Sequence, residues 1–217
     1  MHRATAHLPV WRDSDKDWDR EFEQYLAENK TVAYMVLQNV KVFKDNTALM
    51  QKNINGEWES LTWTEFGDRI TALAKALIDM GIQPGDMCSI FSGNCAEWAI
   101  SDLGILAARA VSVPIYATNS KEEAEYIIND AEVKVIFVGD QEQYDKALQI
   151  MAENKYLKLI VAMQDNIVIS GDKSDYLSKL IEKGRMLTND KEFEERLNNV
   201  DPDDIVTIIY TSGTTGN

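Results

Sequence analysis

The sequence has very little histidine and cysteine. Its two histidines, His2 and His7, both lie in a polar leader. A Ser-His-Asp triad or a histidine-rich metal site needs a histidine within the folded body, so both are excluded. The two cysteines, Cys88 and Cys95, are too few for a disulfide framework and lack the spacing of a zinc knuckle, which indicates a reducing cytoplasm. Any chemistry must therefore use hydroxyls, backbone amides, carboxylates or lysines.

Long apolar runs and basic residues are scarce as well. No stretch approaches the ~18 apolar residues of a transmembrane helix, and the first residues lack the apolar run of a signal peptide. We predict a soluble cytoplasmic protein and leave peripheral membrane contact open. The net charge of -14 argues against a nucleic-acid partner, because phosphate backbones are bound by clustered cations. A bound nucleotide triphosphate would need a metal ion to offset the repulsion.

Hydrophobic periodicity predicts an α/β fold: a mostly parallel sheet with helices on both faces, preceded by an N-terminal β-hairpin. Short apolar strands alternate with helices, as in sheets built from right-handed crossovers. The predicted strands are 87–91, 111–115, 133–138, 157–162 and 205–210. The predicted helices after residue 90 are 97–109, one that begins after Ser120, 141–153 and 191–197. Residues 164–190 are expected to be a loop-rich excursion with one short helix over 176–181.

The N-terminal part differs from the remainder, and we divide the chain into a polar, helical arm over residues 1–44 and an α/β subdomain over 45–217. An amphipathic helix begins near Thr31, and its apolar face could pack on the protein's own core, on a membrane or on a partner. Asn55-Gly56 is a strong hairpin turn signal. Thr62 and Glu65 have the spacing of a capping box that opens the next helix.

The last strand runs into Tyr210-Thr211-Ser212-Gly213-Thr214-Thr215-Gly216-Asn217, which has four hydroxyls and two glycines between Thr211 and Gly216. Ligands of open α/β sheets bind at the carboxyl ends of strands. Glycines allow successive amide N–H groups to point at one anion, and hydroxyls add donors. The segment is neither a Walker loop nor a Rossmann fingerprint. From the residues alone, a flexible loop and a phosphate-binding loop both remain open.

The segment from Tyr210 to Asn217 resembles the phosphate-loop signature of the adenylate-forming superfamily, which includes acyl-CoA synthetases, luciferases and peptide-synthetase adenylation domains. The resemblance covers roughly residues 31–217 and is greatest to long-chain fatty acid–CoA ligases. Four further motifs carry it: Leu61-Thr62-Trp63-Thr64-Glu65-Phe66, Gly81-Ile82-Gln83-Pro84-Gly85-Asp86, Ser92-Gly93-Asn94-Cys95-Ala96-Glu97-Trp98 and Val113-Pro114-Ile115-Tyr116-Ala117-Thr118-Asn119-Ser120.

The resemblance implies a parent that converts a fatty acid, ATP and coenzyme A to acyl-CoA, AMP and pyrophosphate. It assigns nucleotide binding to Thr211, Ser212, Gly213, Thr214, Thr215 and Gly216, and contact with Mg²⁺ to Thr211. In the family the loop continues into Pro-Lys-Gly, whereas this chain stops at Asn217. The adenine-binding residues and the catalytic lysine would follow, so we expect no catalytic residue here and no activity from the chain alone.

Aromatic and acidic residues elsewhere carry weaker signals. Trp63, Trp98 and Tyr116 could line an acyl pocket, but we expect core packing for each. Glu97 and Asp102 are expected to be solvated or helix-capping acids. The charged residues within 121–125 are expected to form a solvated helix face, and Tyr210 is expected to pack at the strand end without a chemical role.

Other functions remain open at this point. The alternatives are an aryl-CoA ligase or luciferase-like adenylate-former, a non-catalytic nucleotide-phosphate-binding module, and a purely structural α/β domain. Apolar surface left exposed on the chain would favour self-association, so a homodimer also remains open.

Overall fold

The computed structural model describes residues 20, 23, 24, 27, 31–53, 55–201 and 203–211. The predicted α/β fold is confirmed: five parallel strands form one sheet with helices on both faces, and an antiparallel hairpin precedes it. Most of the polar leader lies outside the described residues. The domain boundary after residue 44 stays a prediction.

Seven strands and seven helices are numbered here in chain order over the described residues. The strands are β1 Thr47–Lys52, β2 Trp58–Thr62, β3 Met87–Ser92, β4 Val111–Tyr116, β5 Val135–Val138, β6 Leu159–Ala162 and β7 Ser174–Tyr176. The helices are α1 Val32–Phe43, α2 Trp63–Asp79, α3 Ala96–Ala107, α4 Lys121–Asp130, α5 Gln141–Glu153, α6 Leu177–Met186 and α7 Asp190–Asn198.

The sheet has the strand order β4-β3-β5-β6-β7, and every neighbouring pair is parallel. The chain enters at β3, adds β4 on one side, and then crosses to add β5 on the other. This reversal creates a topological switch point between the carboxyl ends of β3 and β5, where open α/β sheets leave a crevice for ligands.

Two apolar layers cover the sheet, one on each face. The first packs below α2, α3 and α6, and the second below α4 and α5. Consecutive residues of β3 point to opposite faces, so Ile90 enters the first layer and Phe91 the second, and both are fully buried. Burial on both faces explains why β5 is apolar throughout and why four of the six residues of β3 are apolar.

Helix α1 packs on the protein's own core. Thr31 caps it by accepting a hydrogen bond from the Tyr34 amide at 3.1 Å, and Ala33 is buried. Val36 and Leu37 pack against the layer that includes α2. Of the three surfaces that the amphipathic pattern could fit, the described structure places this helix on the core.

The predicted capping box at the start of α2 is confirmed. The Glu65 amide donates to Thr62 Oγ1 at 3.2 Å, and the Thr62 amide donates back to Glu65 Oε2 at 2.8 Å. The Thr62 contacts lower the pKa of the Glu65 carboxyl. Ser120 and Glu123 form the same box at α4, as their spacing predicts.

The predicted strand over 205–210 is wrong as a regular, buried strand. The segment makes one isolated parallel bridge, between Thr207 and Ser112 of β4. Ile205 and Ile209 are 64% and 62% exposed. The apolar run has the composition of a central strand, but among the described strands it pairs only with β4.

The prediction for 164–190 is correct in part. Residues 164–173 and 187–189 form no helix or strand, and the predicted helix is present as α6, but it extends to Met186 and the prediction missed β7, which pairs in parallel with β6. Strand β7 is the polar sequence Ser174-Asp175-Tyr176, which has no β-forming signal of its own. Its conformation is imposed by pairing with residues 160–162 of β6.

Gly184 allows α6 to lie against α2, and this generates a stability prediction. A Cβ at this position would collide with the backbone carbonyl oxygen of Ala72, which cannot move aside as a side chain can. We expect Gly184→Ala to lower the free energy of unfolding by about 2 kcal/mol, because overpacking outweighs the gain in helix propensity. Urea unfolding measures the change. Gly93→Ala is the matched control, since its Cβ meets open space; equal effects of the two substitutions would contradict the prediction.

Asp102 on α3 is half-buried, and this generates a pH-dependent prediction. Burial raises the pKa of its carboxyl, and the Ser112 hydroxyl opposes the effect only in part. The charged carboxylate therefore destabilises the folded protein at neutral pH. The effect disappears below the ordinary Asp pKa of about 3.9, where the carboxyl is protonated in both the folded and the unfolded protein. Asp102→Asn should raise the melting temperature at pH 7 and progressively less as the pH falls towards 4. The exposed Asp172→Asn is the control; a gain that does not depend on pH would contradict this interpretation.

Candidate functional site

The carboxyl ends of the parallel strands form one edge of the sheet, and three helices begin there. Helix α3 follows β3 through Gly93 and Asn94, α4 follows β4, and α5 follows β5 through Gly139. The N-caps of these helices are Cys95, Ser120 and Asp140. Helix N-termini carry a partial positive charge, which favours an anion.

A cleft of about 990 Å³ opens at the switch point between this edge and the hairpin. Gln51 of β1 closes one side, since its side chain accepts from the Ala96 amide at 2.8 Å and contacts the Glu97 carboxylate at 3.3 Å. Glu97 is thus bound to the hairpin rather than simply solvated. Most of the charged side chains that line the cleft are acidic: Glu59, Glu97, Asp140 and Asp165, against Lys52.

Neither cysteine offers a nucleophile. Burial raises the pKa of the Cys88 thiol to about 12, and it also raises that of Cys95. The Cys95 sulfur accepts the Trp98 amide at 3.3 Å and serves as the N-cap of α3. Within the described ranges, no group of three or more histidine, cysteine, aspartate or glutamate side chains could hold a metal ion.

The segment that leads into the predicted phosphate loop lies along the outer edge of β4. The Ser112 amide donates to the Val206 carbonyl at 2.9 Å, and the Ile208 amide donates to the Ser112 carbonyl at 3.0 Å. The single bridge is parallel and lies at Ser112, the second residue of β4. Thr211 follows this segment in the chain and is exposed. The other predicted loop residues, Ser212, Gly213, Thr214, Thr215 and Gly216, lie outside the described residues.

Side-chain pairs hold this segment near both ends. Near its start, Arg109 Nη2 lies 2.8 Å from Asp204 Oδ2, and the guanidinium lowers the pKa of that carboxyl. Near its end, the Tyr210 hydroxyl donates to Asp130 Oδ2 at 2.6 Å. Partial burial and the neighbouring Asp130 carboxylate raise the pKa of Tyr210. Reasoning from sequence alone missed both pairs.

The three aromatic candidates occupy different environments. Trp63 and Trp98 are half-buried against the core, as expected. Tyr116 is 65% exposed at the end of β4, so the expected core packing is wrong for it. The last residue of a strand extends past the helices that cover the sheet, which leaves its side chain in solvent. Of residues 121–125, Ala124 is fully buried, while Lys121 and Glu125 form an ion pair at the surface.

No helix in the described part of the chain is both long enough and apolar enough to cross a bilayer.

Known proteins resemble the chain over most of its length. The family model described as "AMP-binding enzyme" matches residues 36–217. The long-chain-fatty-acid–CoA ligase FadD15 of Mycobacterium bovis is 34% identical over 191 residues, which cover 88% of this chain and 30% of the relative. The long-chain-fatty-acid–CoA ligase ACSBG2 of Xenopus laevis is 28% identical over 186 residues, which cover 86% and 25%. The chain thus spans less than a third of the length of these relatives.

Solved structures show the same fold at lower identity. The anthranilate CoA ligase AuaEII superposes with a TM-score of 0.70 at 23% identity, covering 85% of this chain and 32% of that protein. The A domain of a carboxylic acid reductase from Segniliparus rugosus superposes with a TM-score of 0.68 at 15% identity, covering 88% and 36%. The family model matches more than half of the chain and extends through the loop that follows Tyr210, so this chain belongs to the AMP-binding enzyme family.

Proposed function

We propose that this chain is the N-terminal part of a long-chain fatty acid–CoA ligase that uses ATP and forms AMP. The observation that carries the proposal is the family match, which runs through residue 217 and so includes the loop that follows Tyr210. The printed names of the relatives favour the long-chain branch. A chain that spans 30% of such a relative would hold only part of the active site.

The proposed reaction has two halves. In the first, a fatty acid carboxylate oxygen attacks the α-phosphorus of ATP, and the bond to the departing pyrophosphate breaks. In the second, the coenzyme A thiol loses its proton and attacks the acyl carbonyl, which releases AMP and leaves a thioester. Catalysis of the first half depends mainly on positioning and on stabilising charge. No described side chain is assigned a covalent role.

The loop from Thr211 to Gly216 would hold the β- and γ-phosphates of ATP. Its hydroxyls and backbone amides are donors, and its glycines permit the close approach of backbone to phosphate that such binding needs. All the donors between Thr211 and Gly216 are neutral, because this segment contains no lysine or arginine.

Thr211 is the residue that would contact Mg²⁺. Its hydroxyl is a hard oxygen donor, the type that this ion prefers, and the described residues offer no acidic cage of their own. A site with few protein ligands fits an ion that is held largely by substrate phosphates. When bound, Mg²⁺ would neutralise charge on the phosphates, which an acidic protein cannot do by itself.

Several other sequence-based expectations stay predictions. They are the assignment of the six loop residues, the division at residue 44, the cytoplasmic location, peripheral membrane contact and the homodimer. It also stays a prediction that this chain holds no catalytic residue and has no activity alone.

One prediction of the proposed function concerns the class of substrate. The full-length protein should catalyse ATP–pyrophosphate exchange that depends on a long-chain fatty acid, and short-chain and aromatic acids should support much less exchange. The chain that ends at Asn217 should show none, because the adenine-binding residues and the catalytic lysine would lie beyond it. Exchange with aromatic acids only would favour an aryl-CoA ligase, and exchange with no acid would favour a non-catalytic nucleotide-binding module.

Another prediction of the proposed function concerns the loop from Thr211 to Gly216. Thr211→Ala in the full-length protein should raise the Mg²⁺ concentration needed for half-maximal exchange by about tenfold, since one ligand of the ion is lost. Thr211→Ser keeps the hydroxyl and is the matched control, with a requirement close to that of the unsubstituted protein. A Thr211→Ala/Thr214→Ala double variant with unchanged ATP affinity would count against nucleotide binding by this loop.

A further inference from the structure

Tyr210 is the residue between the β4-bound segment and the predicted phosphate loop. The last backbone hydrogen bond between this segment and the sheet, among the described residues, is the one from the Ile208 amide to Ser112. Residues 209–211 therefore leave the sheet without further ladder bonds in the described structure. Among the described contacts, side-chain contacts of Tyr210 are the next ones that hold the chain before Thr211.

The Tyr210 side chain supplies those contacts. Its hydroxyl donates to Asp130 Oδ2 at 2.6 Å, across 80 residues of sequence. Its ring packs edge-to-face on Tyr126, with 6.1 Å between centroids and an interplanar angle of 90°. Tyr126 and Asp130 both belong to α4, so a single helix fixes Tyr210 by one hydrogen bond and one ring contact.

Asp130 lies at a position in the helix where a negative charge is unfavourable. It is the last residue of α4, beside the partial negative charge of the helix C-terminus, and no basic residue occupies the last turn to compensate. It is also exposed, so burial against the core does not explain it. The contact that this carboxylate makes in the described structure is with the Tyr210 hydroxyl.

We propose that Tyr210 is a positioning residue: its hydrogen bond to Asp130 and its packing on Tyr126 fix the place at which the nucleotide-binding loop begins. The C-terminal half of α4 would thus set the position of Thr211. This inference rests on the proposed role of the loop in nucleotide binding. Tyr210 itself need not contact ATP.

The test compares variants of the full-length protein by two readouts, the dissociation constant of Mg·ATP from equilibrium titration and the kinetics of fatty-acid-dependent exchange. Tyr210→Phe deletes the hydroxyl and keeps the ring. We expect it to raise both the dissociation constant and the KM for ATP about fivefold, the effect of one lost hydrogen bond. The KM for fatty acid should change little, since the loop would hold only phosphates.

Three further variants separate positioning from a general structural role. Tyr126→Phe removes a nearby hydroxyl without touching the Tyr210–Asp130 bond and should leave ATP binding unchanged. Asp130→Ala should weaken ATP binding as Tyr210→Phe does, yet should not lower the melting temperature, because it removes an unfavourable charge from the helix end. Asp130→Asn keeps an acceptor oxygen and should restore most of the affinity.

The outcomes distinguish this inference from the proposed function. If the protein binds Mg·ATP but shows no fatty-acid-dependent exchange, the proposed function fails, and the dissociation constants of the variants still decide the role of Tyr210. Unchanged ATP affinity in Tyr210→Phe and Asp130→Ala would overturn the inference, as would strictly additive effects in the Tyr210→Phe/Asp130→Ala double variant. Absence of Mg·ATP binding by the unsubstituted protein would overturn both.

Discussion

The double pairing of β3 is the interaction on which the rest of the structure depends. This strand bonds to β4 on one side and to β5 on the other, and its alternate side chains enter both apolar layers. Because the chain starts the sheet in the middle, it must reverse direction after β4. That reversal produces the switch-point cleft, and it leaves β4 with a free edge along which residues 206–208 can lie.

The candidate site follows from this arrangement rather than from any strongly charged group. Parallel pairing brings the N-termini of α3, α4 and α5 to one edge of the sheet. On a chain with a net charge of -14, that edge combines backbone donors with helix termini, which attract anions without added lysines or arginines. The Arg109–Asp204 and Tyr210–Asp130 pairs then hold the segment that leads to the loop.

Local patterns predict the central part of the fold and fail at its margins. Continuous apolar runs identify β3 and β5, and the Thr62–Glu65 and Ser120–Glu123 spacings identify helix starts, because both signals are encoded within a few residues. Strand β7 has no such signal, since its polar residues become a strand only by pairing with β6. For residues 205–210 the local signal is misleading. Their apolar residues resemble a central strand, yet within the described structure they pair only with β4, through one bridge.

The candidate site was predictable only in part. The loop composition and the family resemblance point to nucleotide binding, but the strand that was expected to precede the loop makes only one bridge to β4. The Tyr210–Asp130 contact spans 80 residues and has no sequence period that could reveal it. The most direct test of the adenylation chemistry is to incubate the full-length protein with hexadecanoic acid and Mg·ATP, without coenzyme A, and to identify the products by mass spectrometry. Hexadecanoyl-AMP and pyrophosphate in equal amounts are expected, whereas ADP and inorganic phosphate, or nucleotide turnover that does not depend on fatty acid, would contradict it.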